Sequence, residues 1–172
     1  MKRLALAGAL ATLVLGGCVT APDIELPTFD AVAAVTAIRA AGGAGSTELD
    51  VQPLRDTQVE DLREDALRLE REGKYPEAAA ALDQALQITP DDPALLQERA
   101  EAALLMQQLD AAQRYAQQGI ERGSKVGPLC RRHWETIAQV RQASAPTTPP
   151  GPTAADARRE RDACTVSAPP RY

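Results

Sequence analysis

Gly73-Lys74-Tyr75-Pro76-Glu77-Ala78, continuing to Ala85-Leu86 and Pro90, is the stretch whose reading decides the fold. Gly73 closes one helical pattern, because glycine accepts the left-handed backbone that ends a helix. Pro76 opens the next, because a first-turn amide has no helical partner to lose. Between them a small residue, Ala78, stands where two helices must approach, and Ala85-Leu86 falls two turns further on. The segment therefore reads as the turn and second helix of a tight helical hairpin.

The same grammar extends outward in both directions. Upstream, Thr57-Gln58-Val59-Glu60 fits a capping box, with Thr57 and Glu60 satisfying each other's amides, and a helical pattern over 58–72 follows. The second helix is expected over 76–88. Thr89-Pro90-Asp91-Asp92-Pro93 then breaks the chain, and Asp92 can cap a third helix over 93–107. Asp110 is the expected cap of a fourth helix, 111–122, and Gly127-Pro128 begins a fifth, 128–142. Shifting the chain by 34 residues lays Leu62 on Leu96, Leu69 on Ala103, Ala66 on Ala100, Ala78 on Ala112 and Ala85 on Gly119.

A 34-residue helix–turn–helix period with small residues at fixed places resembles the tetratricopeptide repeat. The resemblance implies an all-α fold, a short α-solenoid of antiparallel helix pairs, with repeats at 59–92 and 93–126 and a partial third from 127 within a repeat region 57–143. Composition agrees. Aromatics are 3% of the 172 residues while hydrophobic residues are 44%, which suits helices packed through Ala and Leu and not a β-core of aromatic and branched side chains. After the fifth helix, the Pro/Thr-rich stretch 144–152 cannot be helical. A charged helix over 153–164 is read as the delayed second helix of the third repeat, serving as a polar C-terminal cap, followed by a tail, 165–172.

The N-terminus carries an address. Lys2 and Arg3 precede an uncharged apolar run, 4–17, too short to span a bilayer comfortably, and Leu15-Gly16-Gly17-Cys18 follows. This resembles the signal peptide and lipobox of bacterial lipoproteins. The resemblance implies cleavage after residue 17 and a lipidated Cys18 at the start of a tether, 18–56. Cleavage removes two of the 19 cations and no anion, leaving 17 against 24 and a formal charge of −7. Val19, in place of the Asp that retains enteric lipoproteins in the inner membrane, leans towards the periplasmic face of the outer membrane of a Gram-negative cell. Within the tether, Asp30 can cap a short helix over 31–41, with Val32, Val35 and Ile38 on one side and Gly42-Gly43 as its stop. Whether it docks on the repeats or stays mobile is open at this level.

Beyond Cys18, two cysteines remain. Cys130 starts the fifth helix and Cys164 ends the sixth, and these ends meet in an antiparallel hairpin, so a disulfide is expected there. The chain-entropy model assigns a loop of some 30 residues roughly 3–4 kcal/mol. The alternatives are a metal site using Cys130, His133 and Cys164, for which ligands are too few, and a redox-active pair, for which no Cys-x-x-Cys is present.

No nucleophile elbow, phosphate loop, dinucleotide fingerprint or zinc-protease motif appears, so no enzymatic activity and no cofactor are expected. The acidic balance and the lack of a basic cluster argue against nucleic acid. The repeat resemblance implies instead a concave partner-binding face made by the first helix of each repeat. Its positions would be Glu60, Arg63, Leu67, Glu70 and Arg71, then Ala94, Gln97, Glu101, Leu104 and Leu105, then Arg131, Glu135, Ala138 and Gln139. A clamp for C-terminal carboxylates is not supported, since Glu64, Leu67, Glu98 and Glu101 occupy the positions where that subfamily holds Asn. Trp134 is read as a core filler, His133 as a partly exposed helix residue, and Tyr75 and Tyr115 as packing residues. The expected function is a lipid-anchored envelope adaptor for a protein partner. The alternative is an assembly or stability factor for a pilus, secretion or outer-membrane complex, and a peptidoglycan-acting enzyme is a remote third. Mass spectrometry of the exported chain checks the anchor: acyl groups on Cys18 are expected, and Cys18→Ser should move the protein from the membrane to the soluble fraction.

Overall fold

The computed structural model describes residues 29–43, 56–144 and 152–165. The signal segment, Cys18, the tether up to residue 28, and the segments 44–55, 145–151 and 166–172 lie outside the described residues. Seven α-helices make up the described chain: α1 (Ala31–Gly43), α2 (Thr57–Arg71), α3 (Tyr75–Ile88), α4 (Pro93–Leu105), α5 (Leu109–Arg122), α6 (Pro128–Ala143) and α7 (Ala154–Ala163). α2/α3, α4/α5 and α6/α7 pack as successive hairpins, and each pair stacks on the next through α3 against α4 and α5 against α6. Among the described residues no helix is long and apolar enough to cross a membrane.

Helix ends follow local chemistry, with two corrections to the expected caps. The Asp56 carboxylate, and not Thr57, caps α2 by accepting from the Gln58 amide at 2.8 Å. Asp110 lies in the first turn of α5 instead of capping it, and Gln108 takes the cap position without a side-chain bond. Asp92 caps α4 by accepting from the Ala94 and Leu95 amides. Thr153 and Asp156 form a reciprocal capping box on α7.

The repeat is legible in its turns and crossings. Gly73 closes α2 at φ +74°, with the Gly73 and Lys74 amides donating to Glu70 and Leu69 carbonyls. One period later Gln107 adopts φ +58° and repeats the pattern onto Leu104 and Ala103. A side chain pays for this left-handed backbone where glycine does not. At the crossings Ala66, Ala100, Ala78, Ala112, Ala85 and Gly119 are all buried, so small residues let helix axes approach. Gly119 is the extreme case. A Cβ there would stand 2.2 Å from Cε1 of His133, so the large imidazole of α6 occupies the space that Ala85 fills one repeat earlier.

Two substitutions test this account in urea titrations. Gln107→Gly should stabilise the chain by about 0.5–1 kcal/mol, the relief of backbone strain exceeding the entropy glycine adds to the unfolded state. Gly119→Ala should destabilise it by about 1–3 kcal/mol, because the ring must shift in a packed core.

Candidate functional site: a concave face occupied by the chain's own first helix

The 34-residue shift aligns the inner positions of the first helices into rows: Arg63, Gln97 and Arg131; Leu67, Glu101 and Glu135; Glu70, Leu104 and Ala138. α1 lies across the α4 and α6 members of these rows. Val35 and Ile38 bury themselves in a cluster with Ala103, Leu104, Ala112 and Val140, and Phe29 packs beside it. Val32, expected on the same side, is 58% exposed: six residues before Ile38, it stands about 120° from it around the helix and falls outside the stripe that contacts α4 and α6. α1 approaches α6 closely enough that a Cβ on Gly42 would meet the Arg132 side chain at 2.8 Å.

Polar contacts fix the register of this docking. Arg39 of α1 forks onto both carboxylate oxygens of Glu70 at 2.8 Å, and its Nε donates to Glu101 at 2.8 Å. These bonds, that to Glu70 foremost, raise the affinity of the guanidinium for its proton. Glu101 is fully buried and also accepts from Arg132 Nη2 at 2.5 Å and from Gln97 Nε2 at 2.8 Å. A buried carboxylate needs such partners, since an isolated one would be strongly disfavoured away from water. Arg131 donates from Nε to the Ala41 carbonyl and from Nη2 to the Gly42 carbonyl, at 3.0 and 3.1 Å. A cation there satisfies carbonyls that the end of α1 leaves open.

The inner face is therefore not the open groove that the repeat resemblance implies. Gln97, Glu101 and Leu104 have no exposed surface and Arg131 is 2% exposed, because α1 and the neighbouring helices cover them. Arg63 and Leu67 lie on the part α1 does not cover. Leu67 is 42% exposed. Arg63 Nε donates to Glu98 at 2.8 Å and Nη1 to Glu60 at 2.8 Å, and the Glu98 contact chiefly holds it protonated. Its guanidinium is thus already committed to carboxylates, as Arg131 is to carbonyls. Arg39 and Arg132, which the sequence reading does not single out, meet on Glu101 beneath α1. The sequence signal that could have found them is the pairing of the Val35/Ile38 stripe with a following Arg39.

On α6, outside these rows, His133 is 1% exposed and not a partly exposed helix residue, since Gly119 makes room for its ring. Its Nδ1 lies 2.7 Å from Gln97 Oε1, and Gln97 Nε2 donates to Thr136 Oγ1 at 2.9 Å. With Gln97 oriented in this way Nδ1 carries the proton, and Nε2 has no partner. Burial, with the nearby Arg132 and Lys125 charges, lowers the His133 pKa to about 3.

Cys130 and Cys164 are joined by a disulfide, with sulfurs 2.07 Å apart. It ties the end of α7 to the start of α6, where the Gly127 amide also donates to the Cys164 carbonyl at 2.7 Å. α7 buries only Ala157 within its helical span, beside half-buried Trp134, and Arg161 pairs with Glu135 at 2.6 Å. Among the described residues no group of His, Cys, Asp and Glu is arranged to hold a metal ion.

Stacked helical hairpins with small residues at each crossing and a concave inner face define the tetratricopeptide class of helical repeat. Residues 69–128 match the tetratricopeptide repeat family model, and this part of the chain is a tetratricopeptide array. Among solved structures, the chain is similar to the globular C-terminal domain of P. aeruginosa LpoP, with 27% identity and a TM-score of 0.56, over 63% of this chain and 99% of that one. No curated protein matches the chain.

The buried imidazole sets a pH dependence. Its folded pKa lies below the unfolded value near 6.5, so the unfolded chain binds the extra proton first. The contribution is complete above about pH 6.5 and erodes by about 1.4 kcal/mol per pH unit on acidification, until the folded pKa near 3 is passed. Urea midpoints measured from pH 7 to 4 should fall for the native chain, and His133→Gln should flatten that part of the slope.

Proposed function

We propose that this chain is a lipid-anchored envelope protein whose tetratricopeptide array binds a protein partner, held by Cys18 at the periplasmic face of the outer membrane. Three features support the reading. The sequence 1–18 has the order of a lipoprotein signal and lipobox. A disulfide between Cys130 and Cys164 suits a chain that matures outside the reducing cytosol. Helical-repeat arrays present extended surfaces suited to other proteins, and here the surface left open beside α1 is that of the first repeat.

The observation that carries the partner reading is Leu67. It is an exposed apolar side chain on the inner face, flanked by Arg39, Arg63, Glu70 and Glu98 around a shallow pocket floored by Ala66, Ala78, Leu82 and Ala102. An apolar centre inside a charged rim is the pattern of a protein-binding patch. The partner would insert an apolar side chain against Leu67 while the rim selects its register. No cofactor takes part.

A photo-crosslinking residue at position 67, in cells, tests this. A specific adduct with an envelope protein is expected, absent when the crosslinker is moved to exposed Gln117 on α5. Leu67→Glu should abolish partner capture without lowering the urea midpoint by more than about 0.5 kcal/mol equivalent. Equal adducts at both positions, or none, would remove the partner-binding reading.

A further inference from the structure

Beside the open patch around Leu67, the α4/α6 part of the inner face already contains a helix, and that helix shows what this part accepts. We propose that α1 is an exchangeable occupant, and that the α4/α6 part of the inner face takes an amphipathic helix of a partner protein carrying an apolar pair three residues apart with an arginine directly after it. This rests on the partner reading and deepens it by naming the ligand chemistry.

The recognition elements belong to the array and not to α1. Leu104 and Val140 offer the apolar floor for a Val35/Ile38-type pair. Glu70 and Glu101 present carboxylates from neighbouring repeats that meet a single guanidinium. Arg131 donates to the last carbonyls of the docked helix, which fixes its direction and where it ends. Glu101 has partners in the array besides Arg39, namely Arg132 and Gln97, and Gln97 in turn bonds Thr136. Charge complementarity therefore selects a basic residue at one place on the incoming helix.

α1 itself is poorly built to hold the position. It has only 13 residues, with β-branched Val32, Val35, Thr36 and Ile38 and terminal Gly42 and Gly43, and its last turn has no basic residue. Such a helix is marginal by itself. It buries only two side chains larger than alanine, Val35 and Ile38. Thirteen residues separate Gly43 from Thr57. They allow a reach of up to about 45 Å, so α1 can leave without unwinding α2. A partner helix with the same stripe and stronger propensity would replace it.

Hydrogen exchange on the full chain gives the first measurement. Amides of Val35, Ile38 and Arg39 should exchange through an opening that leaves α4 closed, with protection roughly tenfold or more below that of Ala103 and Leu104. Equal protection would overturn the proposal, since α1 would then open only with the whole fold. The second measurement uses a fluorescent peptide of residues 29–43 added to full-length Ile38→Asp/Arg39→Ala, whose own α1 is weakened. Saturable binding is expected to this variant and not to the native chain. A peptide with Ala at the arginine position should bind about tenfold more weakly, the loss of a charge-assisted pair. No saturable binding, equal binding of the two peptides, or loss of cooperative unfolding in the variant would each overturn it, the last by making α1 part of the core. None of these outcomes touches the Leu67 crosslink, so the exchange proposal and the partner reading fail separately.

Discussion

Close approach between helices is the constraint on which the rest of the structure depends. The core contains few large side chains, so stability comes from bringing backbones together over Ala66, Ala78, Ala85, Ala100, Ala112 and Gly119. Dispersion falls off quickly with distance, and a methyl group too many forces neighbours apart. This is why His133 can be large only because Gly119 has no side chain at all. The pair behaves as one packing unit that exchanges volume between α5 and α6.

Polar groups add direction to that packing. Glu101 gathers Arg39, Arg132 and Gln97, and so links α1, α4 and α6 through one buried carboxylate. Gln97 passes the network on to Thr136 and His133. At the far end, the disulfide holds α7, a helix whose own apolar burial is one alanine. The array is thus closed at its C-terminal end by a covalent bond and covered on its inner face by ionic and apolar contacts of α1. These are different kinds of closure, because the first is a covalent bond and the second a set of non-covalent contacts.

Much of the fold was legible in the chain because the signals that set helices are local. Gly73, Pro76, Asp92 and Pro93 mark ends within one or two residues of where they fall. At α2 the expected and observed caps differ by one residue, because Asp56 and Thr57 are both good acceptors and only backbone geometry chooses between them. The burial of His133 is not legible in its own helix, because the space it fills is created by a glycine fourteen residues earlier, on another helix.

The sequence by itself determined the helical class, the 34-residue period and the pairing of helices, since periodicity and turn residues encode these within a few neighbours. The inner face was different. Its residues could be placed on the first helices, but not declared open or covered. Whether Gln97, Glu101, Leu104 and Arg131 meet solvent depends on α1, whose contacts reach from 62 to 90 residues along the chain to Glu101 and Arg131. Burial is a property of what packs on top, and only the tertiary structure brings Arg39 to Glu101 and Arg131 to the end of α1.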